Sequence, residues 1–434
     1  MKIAVAGTGY VGLVLGVVLA NVGHEVICVD TNEKKINMMK NGKSPIYEEG
    51  LEELMAKGKA NLTYTSDYSM AYKESDVIFI CVGTPEKADG SANLDYVFNV
   101  AEQIAKNMKS GTTVVLRSTV PVGTNDSVEG YIKSIVGNEK EFNVVSNPEF
   151  LAQGTAVRDT MYGSRLVIGV ENEEAKEIMQ KVYEPLTKEP YNQPILFMNR
   201  RSSEMVKYAS NDFLALKISY INEIANFCEE LGANIEDVTR GMSYDKRIGS
   251  SFLNAGIGYG GSCFPKDTKA LHWLSKIIDV EIKTIKACIE VNKMQKTRLF
   301  EKYKKIVDGN IAGKDIAVLG LTFKPNTDDL REAPSIDNVQ LLLDYGANVT
   351  VYDPVGMNNF KNIFGEKVKY ANTIDEAIMN KDASFIMTEW KDIREYNVEN
   401  YKKLMNTPLV LDGRNCYDIS KMKDIGIDYL SIGR

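Results

Sequence analysis

Residues 256–267 read Gly-Ile-Gly-Tyr-Gly-Gly-Ser-Cys-Phe-Pro-Lys-Asp, and they contain the thiol best placed for chemistry. Four glycines within six positions permit a loop whose backbone amides close on a ligand. Pro265 and the stretch 268–278 predict a helix that starts just after Cys263. A thiol at that point feels the partial positive charge of a helix N-terminus, and Lys266 adds to it. Both raise the thiolate fraction at neutral pH. Asp267 supplies a carboxylate one turn further on. The other cysteines, Cys28, Cys81, Cys228, Cys288 and Cys416, lie in apolar or ordinary surroundings and read as core residues.

Lys207 and Asn211 stand four residues apart in a mostly apolar helical stretch, hence on one face. Alone they fit a solvated edge. Beside a nucleophilic thiol, both can donate to an oxygen that becomes negative during carbonyl chemistry.

A second constellation is Gly7-Thr8-Gly9-Tyr10-Val11-Gly12, after a short apolar run and before a helical one. Such glycines let the backbone turn tightly and approach a pyrophosphate at a helix N-terminus. Asp30 lies 18 residues beyond Gly12, at the end of the next apolar run, where a carboxylate can accept from both ribose hydroxyls. An acid there repels a 2′-phosphate and favours NAD over NADP, although Lys34 and Lys35 pull the other way. The bland alternative is three turn glycines and a capping Asp.

The elements that must position these groups follow from pattern. Lys2–Ala6 and Glu25–Val29 read as strands flanking a helix over Val11–Val22, and 76–82 and 112–117 repeat the short apolar strand. The alternation predicts a parallel sheet with helices on both faces. Residues 202–231 hold no Gly or Pro and space apolar residues helically, giving one helix of about 45 Å at ~1.5 Å per residue. Residues 315–320 and 345–354 repeat the opening pattern, but Gly-Leu-Thr-Phe-Lys-Pro replaces the glycine motif, so a second Rossmann-like unit there should not bind a dinucleotide in the same way. The expected fold is α/β. A Rossmann-like NAD domain over 1–197 and another Rossmann-like domain over 301–434 flank a helical domain over 198–300 that carries the long helix and the thiol loop.

Composition narrows the function. With 434 residues, 44% hydrophobic, 26% charged and a net charge of −7, the chain reads as a soluble multidomain protein with no general affinity for nucleic acid. Two histidines, His24 and His272, and no CxxC pair argue against histidine catalysis, a metal site or a disulfide framework, and fit a reducing cytoplasm. Residues 3–23 are nearly uncharged, but Gly7, Gly9 and Gly12 interrupt them, so a buried strand, turn and helix are expected in place of a signal peptide or membrane span.

These motifs, with Gly83-Thr84-Pro85, Ser118–Thr124 (STVPVGT), Asn147-Pro148-Glu149-Phe150-Leu151, Arg247-Ile248-Gly249, Phe323-Lys324-Pro325 with Arg331, and Asp412-Gly413-Arg414, span the whole chain. In this order and spacing the sequence resembles the UDP-glucose/GDP-mannose dehydrogenase family, its UDP-glucose branch most closely. The resemblance implies a two-step oxidation of the sugar C6 alcohol of UDP-glucose to the acid, using two NAD⁺, through a thiohemiacetal and a thioester on Cys263. It assigns oxygen-charge stabilisation to Lys207 and Asn211, and proton transfer and hydrolysis to Asp267, Glu149 and Thr119. It places Gly7, Gly9, Tyr10, Val11, Gly12, Asp30, Lys35, Thr84, Thr119, Lys266 and Arg331 near NAD. It places Glu149, Phe150, Leu151, Lys207, Asn211, Phe252, Asn254, Gly256, Tyr259, Gly260, Phe323, Lys324 and Arg414 around the substrate. It sends Arg247 to a neighbouring subunit's site, so a homodimer or higher homo-oligomer is expected, with no membrane partner. The chain departs from the pattern at Gln153, where many relatives carry Glu. GDP-mannose or UDP-N-acetylmannosamine oxidation by the same chemistry, a one-step hydroxyacid-type dehydrogenase and a silent dinucleotide-binding subunit stand as alternatives.

Overall fold

The uncharged N-terminal run folds as a strand, a turn and a helix. β1 (Lys2–Ala6) leads through Gly7 into the helix Tyr10–Asn21, in which every residue from Gly12 to Ala20 is buried. A helix apolar on all sides belongs inside a core. The computed structural model describes residues 1–434 and separates into two units, Met1–Ser210 and Asn211–Arg434.

In the first unit β1 is joined by β2 (Glu25–Val29), β3 (Leu62–Thr65), β4 (Val77–Ile80), β5 (Thr112–Leu116), β6 (Phe142–Ser146), β7 (Leu166–Gly169) and β8 (Ile195–Met198). Their order is β3-β2-β1-β4-β5-β6-β7-β8, parallel except for a single antiparallel pairing of β6 with β7. The expected strands are present, the first two with the predicted bounds and the next two shortened to Val77–Ile80 and Thr112–Leu116, and successive residues face opposite cores. Ile3 and Val5 join one buried cluster, Ala4 and Ala6 the other. Burial on both faces is what near-continuous apolar strands of a parallel sheet require. The winding reverses between β1 and β4, so the loops after those strands open a crevice at the sheet's C-terminal edge.

The second unit carries β9 (Asp315–Leu319), β10 (Asn348–Tyr352), β11 (Lys369–Tyr370), β12 (Ala383–Ile386), β13 (Leu409–Asp412) and β14 (Asp428–Leu430) in the order β11-β10-β9-β12-β13-β14. All its pairings are parallel. This is the winding of the first six strands again. The repeat extends to a side chain. Asp30 after β2 accepts from the Thr8 amide at 3.0 Å, and Asp353 after β10 accepts from the Leu321 amide at 2.6 Å. Asp353 is sealed, however, with the Trp390 indole N–H donating to the same oxygen at 3.0 Å. Gly320, at φ +81°, also lies against Thr388, where a Cβ would come within 2.6 Å of the Thr388 Cβ. A dinucleotide has no comparable opening there.

The predicted long helix runs over Arg200–Leu231, and the division between the units falls inside it. The Asn199 side chain accepts from the Ser202 amide at 2.8 Å near its start, and Gly232, at φ +71°, follows its end.

Candidate active site

The turn after β1 has the geometry its glycines predicted. Gly7 is at φ +97°, and a Cβ on Gly12 would sit 1.9 Å from the Gly7 carbonyl oxygen, so the turn closes only with glycine there. A Cβ on Gly9 meets nothing within 4 Å, which leaves open space beside the helix that begins at Tyr10. A helix start that faces open space fits a pyrophosphate. Asp30 is held by the Thr8 hydroxyl at 2.5 Å and by the Asn32 amide at 2.9 Å, with Lys35 at 3.9 Å. Burial alone would raise its carboxyl. The Thr8 hydroxyl, the two amides and Lys35 outweigh that and hold it below the usual carboxylate range. Thr8 was not among the predicted site residues. Its signal was its place inside the glycine motif, where a hydroxyl can brace the acid. Thr84 donates to the Thr119 carbonyl at 2.9 Å, which ties together the loops after β4 and β5.

Further along the same edge, Glu149 and Lys207 form a buried ion pair at 2.8 Å, with side chains 5% and 3% exposed. The other Glu149 oxygen accepts from the Leu151 amide at 2.7 Å, so one carboxylate fixes both the lysine and the backbone of the Glu149–Leu151 segment. Phe150 lies beneath two cations, with the Arg165 guanidinium 4.0 Å and the Lys207 ammonium 5.6 Å from its ring centre. A cavity of about 290 Å³ adjoins them, lined among others by Arg117, Glu149, Phe150, Leu151 and Arg165. Sequence reasoning missed Arg165 and also Glu204. Glu204 accepts from the amides of Gly123 at 2.6 Å and Asn125 at 2.8 Å and so anchors the Ser118–Thr124 loop. Its position three residues before Lys207, on one helix face, was the available hint.

In the second unit Cys263 caps the helix Phe264–Ile277, with Pro265 in the first turn, as the sequence predicts. The Asp267 amide donates to the Cys263 carbonyl at 2.8 Å, so thiol and carboxylate share one helical turn. Asp267 is 1% exposed and has a donor on each oxygen, Lys266 Nζ at 2.5 Å and Asn211 Nδ2 at 2.6 Å. The positive charge that Lys266 was expected to lend the thiol is therefore shared with Asp267. Cys263 is half-buried, whereas burial pushes Cys28 well up, Cys81 to about 12, and Cys288 and Cys416 upward too.

The glycines of this loop are explained first by the protein itself. A Cβ on Gly261, at φ +82°, would strike the Phe323 ring at 2.8 Å, and one on Gly260 would meet the Glu332 carbonyl oxygen at 2.4 Å. The loop is thereby pressed against the predicted substrate residues. Arg414 donates to the carbonyls of Gly258 and Phe323, both at 3.3 Å, and pairs with Glu389 at 3.4 Å. Tyr259 and Gly256 are buried in the same loop, Asn254 is exposed, and Phe252 is held at φ +63°, an unusual conformation for a bulky side chain. Lys324 lies over the Phe323 ring, 5.6 Å from its centre. Arg331 adjoins this loop, its carbonyl accepting from the Gly261 amide at 2.7 Å and its guanidinium forked onto Asp329 at 2.7 Å, whereas Arg247 is forked onto Asp245 at 2.6 Å. No helix is long and apolar enough to cross a membrane.

A glycine turn at the switch point of a doubly wound sheet, with a braced acid after the neighbouring strand, defines a dinucleotide-binding domain, and Cys263 at a helix start in the second unit is the candidate nucleophile. Residues 1–187 match the NAD-binding domain model of the UDP-glucose/GDP-mannose dehydrogenase family, residues 201–294 its central domain and residues 317–419 its UDP-binding domain. The chain belongs to this family. It is 48% identical to UDP-glucose 6-dehydrogenase YwqF of Bacillus subtilis over 436 residues, covering 100% of this chain and 98% of that one. It is also 48% identical to UDP-glucose 6-dehydrogenase of Rhizobium meliloti over 440 residues, with both chains fully covered. Its fold matches a UDP-glucose dehydrogenase from the archaeon Pyrobaculum islandicum with a TM-score of 0.91 at 35% identity, covering 98% of this chain and 96% of that one.

Proposed function

We propose that the protein oxidises UDP-glucose to UDP-glucuronate in two NAD⁺-dependent steps, with Cys263 as the covalent nucleophile. The observation that carries this reading is Cys263 at a helix start, one turn from an Asp267 carboxylate that Asn211 and Lys266 hold in place. Residues 1–197 hold the cofactor, 198–300 carry the thiol chemistry and 301–434 bind the nucleotide.

Bound NAD⁺ accepts the electron pair removed in each oxidation. The first oxidation converts the C6 alcohol to an aldehyde, which no longer offers an equivalent C–H to a second one. Cys263 Sγ adds to the aldehyde carbon; the C–S bond forms, the carbonyl π pair moves to oxygen, and the thiol proton leaves to a base. The carbon becomes tetrahedral and bears a removable hydrogen again. Oxidation of that thiohemiacetal gives a thioester. Water then adds, the C–S bond breaks, and sulfur departs as the thiolate.

Lys207 and Asn211 stabilise the oxygen's charge. Asn211 has the capacity, because an amide carries two N–H donors and Asp267 engages one. Asp267, Glu149 and Thr119 hold and move protons. Phe323, Lys324 and Arg414 form the nucleotide-sugar side of the site. An NADH-release screen against UDP-glucose, GDP-mannose and UDP-N-acetyl sugars tests the substrate. Faster turnover of another sugar would reassign it, and no turnover with any of them would sink the reading. A structure of a UDP-D-ManNAc dehydrogenase from Pyrococcus horikoshii matches with a TM-score of 0.88 at 25% identity, covering 100% of this chain and 99% of that one, so the fold alone accommodates more than one sugar.

The active form is a homodimer. Phe213, Tyr220, Phe227 and Leu231 are exposed on the long helix at steps of seven, seven and four, an apolar stripe suited to a second copy. Arg247, with its side chain 90% exposed and held in this chain by Asp245, extends to that copy in the dimer. Six free thiols suit the cytoplasm.

A further inference from the structure

Asp212 is the one carboxylate of the second unit whose two side-chain oxygens are both buried without any hydrogen-bond partner. It follows Asn211 on the long helix and is 2% exposed. The ionisable groups that face it come from three elements: Asp267 and Lys266 on the helix Phe264–Ile277, Tyr259 in the glycine loop, and Cys288 on the helix Lys283–Lys296. Two of the nearby groups are already engaged with each other, the Ser219 hydroxyl lying 3.3 Å and the Tyr259 hydroxyl 3.5 Å from the Cys288 sulfur. A carboxylate in such a place has lost water and gained no donor, which strongly disfavours its charged form. Asp267 differs, because Lys266 and Asn211 each donate to it.

We propose that Asp212 is a positioning residue for the thiol chemistry: as a neutral acid behind Asn211, it leaves Asp267 as the only anion of the pair, so that Asn211 and Lys266 stay committed to Asp267 and negative charge can develop at Cys263. The proposal rests on the thiol mechanism above. Burial, with Asp267 adding to it and Lys266 opposing, pushes the Asp212 carboxyl up to about 8. Above that pH a second buried anion arises beside Asp267. It competes for Asn211 and Lys266 and repels the charge that forms on sulfur and oxygen during addition. Asp212 touches neither substrate nor cofactor in this account; it acts through Asp267 and Asn211.

The test compares kcat for acid production by the wild-type protein and by Asp212→Asn across pH 6–10. The ratio of variant to wild type cancels every other titration the two share. It should rise about tenfold between pH 7 and pH 9, because one unit above its pKa only about a tenth of an acid remains protonated. A ratio that stays flat overturns the proposal, since a purely structural loss lowers kcat at every pH alike. Infrared titration of the unmodified protein gives a readout independent of folding of the variant and of turnover. One buried carboxylic C=O band should vanish with a midpoint near 8, and it should be missing in Asp212→Asn. Absence of that band at pH 6.5 overturns the proposal whether or not the protein turns over UDP-glucose, whereas the band without turnover would leave Asp212 as described and remove the mechanism.

Discussion

Asn211 Nδ2 lies 2.6 Å from Asp267 Oδ2, and the amide of Asp267 in turn hydrogen-bonds the carbonyl of Cys263. A side chain of the long helix thereby fixes the turn of a second helix on which the thiol sits. Cys263→Ser should lower acid formation by roughly three orders of magnitude or more, as loss of a nucleophile does, while NAD binding measured by fluorescence titration stays within about twofold of wild type. Acid formation at the normal rate by this variant would remove the covalent step.

Glu149 and Lys207 are both almost fully buried, so neither tolerates loss of the other. Glu149→Gln alone leaves an ammonium uncompensated and should cost about 3–5 kcal/mol in urea unfolding of the holoprotein. The double change Glu149→Gln with Lys207→Met should recover most of that stability but none of the activity. If the double variant is active, the pair is a structural feature only.

Gly12→Ala drives a Cβ into the Gly7 carbonyl, which must move for the turn to survive. Backbone strain of about 1–3 kcal/mol corresponds to a weakening of NAD binding by roughly ten- to a hundredfold. Gly9→Ala meets no protein atom, so any weakening it causes reports a clash with the bound pyrophosphate. Unchanged NAD affinity in both variants would dissociate this turn from the cofactor.

Asp30 carries a pH signature. Its folded-state carboxyl sits below the ordinary value, so the stability it adds is fully present above about pH 4, the unfolded value, and is lost as pH falls through the lower folded value. Asp30→Asn should therefore melt lower than wild type at pH 7, and the gap should narrow as pH drops below 4. A gap that widens on acidification would reverse the sign of the Thr8–Asp30 interaction. The same variant should also discriminate less between NAD⁺ and NADP⁺.

Phe227→Glu places a charge in the exposed stripe of the long helix. Sedimentation velocity should show a dimer for wild type and a monomer for the variant. A wild-type monomer at micromolar concentration would rule out the stripe as an interface.

The sequence carried much of this fold because its signals are local. Gly7, Gly12 and Asp30 are constrained by turn geometry and strand ends, and the helix start at Cys263 by Pro265. Local spacing also paired Lys207 with Asn211 on one face. It did not reveal that each holds a different carboxylate, because Glu149 and Asp267 approach from residues 58 and 56 positions away. Glu204 bonds to Gly123 and Asn125 across a comparable gap, and Arg165 is recognisable only once Phe150 lies beneath it. The glycine loop misled in one respect. Its lack of side chains serves close packing against Phe323 and Glu332 before it serves any ligand.

The most direct test of the account is the ratio of NADH formed to UDP-glucose consumed by the purified protein, followed to completion with excess NAD⁺. The thiol mechanism predicts two NADH per sugar, with UDP-glucuronate as product and no free aldehyde. One NADH per sugar, with the aldehyde accumulating, would contradict it.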